Sequence, residues 1–321
     1  MGVPISGPET ASASVVFIAG PTAGGKTAAA VDFASACASG GSGRGVEIVN
    51  ADAMQVYAAI PILSAQPTPE ERRGVPHHLF GYLSAAARGS AGRWSNDAAE
   101  TLNAIAGRGA LAIVVGGTGL YFRALEQGLD PAPQIPDEVR AAAAARLADV
   151  GLPAFRAETI ARDPAMSRLD PNDRQRHVRA WEVFEATGAP LSALQTGGGS
   201  PAPMTVAARI VIEPPREEVY AQAEARFDRM LAAGALDEAA RLLEMGLPAD
   251  APVMKAVGVA ELVAHLKGEI TLDAARALAQ RNTRRLAKRQ MTWFRNQASA
   301  WPRAAAAKDA AARLATALRL A

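Results

Sequence analysis

The stretch GPTAGGKT, Gly20–Thr27, constrains this chain more than any other feature. It follows the apolar run VVFIA and precedes TAAAVDFASA, a run of helical texture. Gly20, Gly25, Lys26 and Thr27 fit G-x-x-x-x-G-K-[ST], a loop that belongs between a buried strand and the start of a helix. Its glycines let backbone N–H groups turn inward toward phosphate oxygens. Lys26 adds a point charge, and the Thr27 hydroxyl can ligate Mg²⁺. The helix N-terminus contributes partial positive charge. The loop therefore implies an α/β core that holds a phosphate-bearing ligand.

The rest of the chain supplies such a core. Val15–Ala19, Val46–Asn50 and Leu111–Val115 read as short buried strands, with a helix from Lys26 to about Ala38. Strands separated by helical stretches argue for a parallel sheet with helices on its faces. After Gly128 the texture changes: Pro131, Pro133 and Pro136 punctuate a loop, and an alanine-rich helix starts near Asp137. Gln195–Pro203 is a glycine and proline linker, followed by a strand at Ala208–Ile212 and helical sequence to the end. The expected architecture is a P-loop NTPase-like α/β fold, a parallel sheet with helices on both faces, plus an all-helical insertion domain. Residues 1–14 form a disordered tail, 15–128 and 205–321 the core, and 129–204 the insertion and linker.

The chain has 321 residues, of which 49% are apolar, so a sizeable core can be buried. Cys37 is the only cysteine, which excludes a disulfide framework and a cysteine-rich zinc module. No signal peptide is visible, and Val15–Ala19 is too short to span a bilayer. These features predict a soluble cytoplasmic protein without a membrane partner. Nothing demands more than a monomer. The net charge is only +2, so the distribution of charge carries more information than its sum.

Nucleotide kinases and hydrolases of this loop type place an acid after another apolar strand to hold Mg²⁺. Here LAIVV ends in Gly-Gly-Thr-Gly instead, while Val46–Asn50 is followed by Asp52. That carboxylate lies at the strand edge where open α/β sheets bind ligands, as a metal ligand or a general base. In Gly116–Tyr121 the glycines permit close approach to a ligand, and Thr118 offers a hydroxyl there. Tyr121 and Phe122 pack under the turn, and Arg123 can reach a phosphate or cover a helix end.

Between Ala274 and Lys308 every charged residue is Lys or Arg. Arg281, Arg284, Arg285, Lys288 and Arg289 recur at helical spacing, so they share a face that repels itself unless a polyanion lies against it. A second cluster, DRQRHVRAW, carries Arg174, Arg176 and Arg179, with Gln175 and His177 as hydrogen-bonding groups and Val178, Trp181 and Phe184 as a buried stripe. Together they suggest a groove for a phosphate backbone. His77-His78 lacks ligand partners at metal spacing and reads as structural.

GPTAGGKT, NADAMQVY, VPHHL, VVGGTGLYFRAL, DRQRHVRAWEV, MKAVGVAEL and RRLAKRQMTWFRNQ occur in that order from about Val15 to Gln297. In combination they resemble the bacterial tRNA dimethylallyltransferase family. The resemblance implies that Gly20, Thr22, Ala23, Gly24, Gly25, Lys26 and Thr27 cradle the diphosphate of dimethylallyl diphosphate, with Mg²⁺ assisting on Thr27. The implied acceptor is N6 of the adenosine 3′ of the anticodon in tRNAs reading codons that start with U. Asp52 would take its proton, with Thr118 and Arg123 completing the catalytic set. Asp52, Ala53, Met54 and Gln55, together with Thr118, Arg140 and Gln175, Arg176, His177, Val178 and Arg179, match tRNA-contacting positions. Arg281, Arg284, Arg285 and Lys288 would lie along the anticodon stem-loop.

The chain departs from the family pattern at Ala53, where Ser is common, and at Gln66, where Lys is usual. Two related activities share part of this pattern. An adenylate isopentenyltransferase acting on free nucleotides needs no long basic groove, and a small-metabolite kinase needs the acid missing after LAIVV. A non-catalytic RNA-binding scaffold is disfavoured by the intact Lys26 and Asp52.

Overall fold

The computed structural model describes residues 13–39, 45–130, 133–195, 197, 199, 201–202, 204–248 and 250–318. The elements run β1 (Ala13–Ala19), α1 (Lys26–Ser39), β2 (Val46–Asn50), α2 (Pro69–Arg72), β3 (His77–His78), α3 (Ala91–Gly107), β4 (Leu111–Gly116) and α4 (Gly119–Gln127). Then come α5 (Asp137–Arg162), α6 (Arg174–Thr187) and α7 (Leu191–Leu194). The chain returns through β5 (Met204–Ile212), α8 (Arg216–Ala232), α9 (Ala235–Glu244), α10 (Val259–Leu266), α11 (Leu272–Gln297), β6 (Arg303–Ala304) and α12 (Ala307–Ala317). Two compact units result: the described residues up to Leu125 with those from Met204 onward, and the described residues of Glu126–Ala202.

The first unit is built on a six-stranded sheet of order β3-β2-β4-β1-β5-β6, with every pair parallel. Its central strands read as continuous apolar runs because both faces are covered. Val16 and Ile18 face the α1 and α12 side, packing with Ile48, Ile113 and Phe33. Phe17 points the other way, 5.2 Å from Phe122 and 5.7 Å from Trp301 between ring centroids. Strand β1 starts at Ala13, two residues before the sequence expectation, because Ala13 and Ser14 still pair with Met204 and Thr205. The expected tail up to residue 12 lies outside the described residues. Edge strands β3 and β6 are two residues long, too short for a periodicity to register, and β6 interrupts sequence that reads as helical throughout.

The second unit is helical. Helix α5 breaks at Gly151, at φ +72°, with Pro153 two residues on, so the single alanine-rich helix of the sequence reading is two. Asp173 caps α6 by accepting the Arg176 N–H at 3.1 Å, and Gly188 ends it in the left-handed region. Ala143, Leu147, Phe155 and Trp181 form its core. Among the described residues no helix is long and apolar enough to cross a membrane.

Candidate active site

Parallel register brings three turns to one edge of the sheet. Ala19 pairs with Gly116 and Asn50 with Val115, so the loops after β1, β2 and β4 leave side by side. A cleft of about 710 Å³ opens there, lined by the phosphate loop from Thr22 to Thr27, by Asp52 and Gln55, and by Arg226 and Arg229 of α8. Gly20 is required by space: a Cβ would sit 2.3 Å from the Ile212 carbonyl oxygen. Gly25, at φ +81°, is required by its backbone conformation.

Lys26 donates from Nζ to the Pro21 carbonyl at 2.6 Å, bridging its own loop. Burial pulls its pKa down from 10.5 to about 8; Asp52 opposes that fall and Arg226 adds to it. Arg226 donates to the Thr22 hydroxyl at 2.5 Å, and burial lowers its pKa from the ordinary value against the opposing pull of Asp52. Lys26, Arg226 and Asp52 therefore act on one another within the cleft.

The Asp52 turn is held from several sides. Buried Asn50 accepts the Asp52 N–H at 2.8 Å and donates to the Asp52 carbonyl at 3.0 Å. One Asp52 carboxylate oxygen accepts the Met54 N–H at 2.9 Å, and the other has no hydrogen-bond partner among the described residues. Thr118 uses its hydroxyl to accept the Ala53 N–H at 3.0 Å, and its own N–H donates to the Ala51 carbonyl. Beneath, Trp94 stacks on Tyr121 at 4.0 Å and donates to the Asn50 carbonyl.

The structure places the remaining expected site residues as follows. The Thr118 hydroxyl braces the Asp52 turn and does not line the cleft. Arg123 is exposed on α4 and also lies outside the cleft lining. The glycines of the second motif admit close protein neighbours, and Gly116 also lines the cleft. A Cβ at Gly116 would meet the Ala51 carbonyl oxygen at 2.0 Å, one at Gly117 the Gln290 amide at 2.3 Å, and one at Gly119 the Trp293 ring at 2.1 Å. Gln55 lines the cleft but donates to the Ser64 and Ala65 carbonyls, and Gln66 donates to the Tyr57 carbonyl.

The basic clusters also differ from expectation. Arg284 pairs with Glu224 and Arg276 with Asp228, both on α8, so the acids missing from α11 come from its neighbour. Arg281, Arg285, Lys288 and Arg289 meet no acid among the described residues; the last three line a shallow pocket of about 520 Å³ with Trp293. In the helical unit, Gln175 and Arg176 are exposed, whereas His177 is fully buried, and neither ring nitrogen has a hydrogen-bond partner among the described residues. Val178 packs on the core of that unit. Arg140 and Arg179 flank Glu182 at 3.8 and 3.9 Å, and Arg179 donates to the Pro133 carbonyl. His78 bonds Glu47, which also holds Arg108, so this histidine ties down the sheet edge.

Arg226 and Gln290 are absent from the sequence reading. Arg226 carried a signal: it follows Val219 and Ala223 at the spacing of the buried α8 stripe, a charge on an apolar face.

The family model for IPP transferase matches residues 55–297. The chain belongs to that family. It is 50% identical to a tRNA dimethylallyltransferase of Maricaulis maris over 289 residues, 90% of this chain and 92% of the relative. A tRNA dimethylallyltransferase of Phenylobacterium zucineum is 51% identical over 288 residues, 89% of this chain and 91% of that one. The fold of this IPP transferase family member matches the full-length tRNA isopentenylpyrophosphate transferase of Bacillus halodurans. The TM-score is 0.66 at 30% identity, covering 96% of this chain and 97% of that one.

Proposed function

We propose that the chain is a tRNA dimethylallyltransferase, which moves the five-carbon unit of dimethylallyl diphosphate onto N6 of the adenosine 3′ of the anticodon and releases diphosphate. The observation that carries this reading is the meeting of a P-loop, an uncommitted carboxylate oxygen on Asp52 and a buried Arg226 in one cleft of an IPP transferase family member. An exocyclic adenine amine is a weak nucleophile, and Asp52 is placed to take its proton. Charge building on the leaving diphosphate is met by loop amides, Lys26 and Arg226. The donors in the cleft suit Mg²⁺: the Thr27 hydroxyl and the Asp52 carboxylate are hard oxygens, too few for an all-protein cage and fit for an ion that keeps waters and takes substrate oxygens. Thr27 would hold it, and the ion would add positive charge at the leaving group.

The reading is tested by incubating the protein with labelled dimethylallyl diphosphate, Mg²⁺ and unmodified tRNA reading codons that start with U. Digestion is expected to return the label as an N6-prenylated adenosine from the tRNA. Unlabelled tRNA, or label on AMP supplied as a competing acceptor with none on tRNA, sinks it.

The acid-free part of α11 is the surface this function assigns to the RNA backbone. Neutralising Arg285, Lys288 and Arg289 together is expected to weaken tRNA binding while sparing dimethylallyl diphosphate. Each phosphate that no longer meets a cation flattens the slope of log K against log salt by roughly 0.7–0.9. Binding titrations at several salt concentrations measure this, and an unchanged slope makes these residues ordinary surface.

A further inference from the structure

We infer that Gln290 is a positioning residue for the phosphate loop, and that position 117 is glycine to let the Gln290 side chain reach that loop. The inference rests on the reading above that the loop holds diphosphate. Gln290 lies on α11, only 9% exposed, and its Oε1 accepts the Thr22 N–H at 2.7 Å. It does not line the cleft, so it acts through Thr22. Thr22 is fixed a second time by Arg226, which donates to its hydroxyl. Two helices, α11 and α8, thus grip the residue at the entry of the loop. With that N–H committed, the loop geometry is set before any ligand arrives.

Gly117 supplies the independent observation. Its φ is not in the left-handed region, so its backbone does not call for glycine. The space does: a Cβ would fall 2.3 Å from Gln290 Nε2 and 3.1 Å from its Cδ. The second glycine motif and the first are therefore joined through one amide carried by a distant helix. That same helix presents Lys288 and Arg289, so the segment assigned to RNA also braces the diphosphate loop.

The test uses the full chain, with inorganic pyrophosphate as ligand and calorimetry as readout. Gln290→Ala leaves the part-buried Thr22 N–H without its acceptor, so the loop must be ordered as the anion binds, and pyrophosphate is expected to weaken about tenfold. Gly117→Ala pushes the Gln290 amide away and is expected to do the same. The double variant should match Gln290→Ala alone, because the hydrogen bond to Thr22 can be broken only once and the truncated side chain makes room for the new methyl. In turnover the loss should fall on KM for dimethylallyl diphosphate, with tRNA binding within about twofold of the parent, a split that general loosening does not produce. If Gly117→Ala fails to fold, Gln290→Ala carries the test alone. A pyrophosphate Kd within twofold of the parent, tighter binding, or additive losses in the double variant overturns the inference. A parent that binds pyrophosphate but transfers no prenyl group would instead defeat the functional reading, with the variants still reporting on the loop.

Discussion

Replacing Asp52 by Asn is expected to leave tRNA and dimethylallyl diphosphate bound while turnover falls by about 10²-fold or more, the usual worth of a positioned base. Asn is the sharper substitution than Ala. Its side-chain carbonyl can still accept the Met54 N–H, and the Asn50 hydrogen bonds to the backbone of residue 52 do not involve the side chain. The turn should therefore keep its shape, while the capacity to hold a proton disappears together with the negative charge beside Lys26 and Arg226. Ala removes the acceptor for the Met54 N–H as well, so Asp52→Ala should be no faster than Asp52→Asn. Single-turnover rates at saturating substrates separate chemistry from binding. An Asp52→Asn enzyme within fivefold of the parent would show that the proton leaves by another route.

The parts of this site that are legible in the sequence are those whose chemistry is local. The phosphate loop is contiguous, and its glycines answer to backbone torsion and to a neighbouring strand. Asp52 can be placed because a strand end is visible from a run of apolar residues. Arg226 and Gln290 reach the loop from elements far along the chain, and their register depends on how α8 and α11 pack. A glycine pattern states that something comes close without stating what. At Gly116, Gly117 and Gly119 it is the Ala51 carbonyl, Gln290 and Trp293. The same limit applies to charge: beyond Asp273, α11 reads as unpaired, yet Arg276 and Arg284 find acids on α8. His177 reads as one more polar group in a basic run, and only helix packing buries it.

Lys26→Met is expected to make the protein inactive and, near neutral pH, more stable. The two effects have one cause, because the ammonium is held in a place that suits a bound anion better than an empty cleft. Its pKa falls from 10.5 to about 8, so the folded state resists the charge. Below pH 8 both folded and unfolded chains carry the proton, and the cost of burying it is present in full. Between pH 8 and 10.5 the unfolded chain binds more protons than the folded one, so stability rises with pH. Above 10.5 the cost is gone. At about 1.4 kcal/mol per unit of pKa the cost is ~3 kcal/mol, and water that reaches part of the side chain through the cleft lowers that to roughly 2 kcal/mol. The Pro21 carbonyl keeps the Gly24 N–H as a donor when Nζ is removed, so Met leaves no orphan there. Denaturant titration should show Lys26→Met more stable than the parent at pH 7, with the gap closing by about pH 10.5. Over the same comparison kcat/KM for dimethylallyl diphosphate should fall by about 10²–10³-fold, in the range of losing one group aimed at the developing negative charge. Pyrophosphate binding to the parent above pH 8 should take up a proton, visible by calorimetry in buffers of different ionisation heat, because the anion restores the charge that burial suppresses. A variant destabilised at pH 7, or a stability gap that ignores pH, would mean that the ammonium is well solvated in the empty cleft and that its pKa has not been lowered.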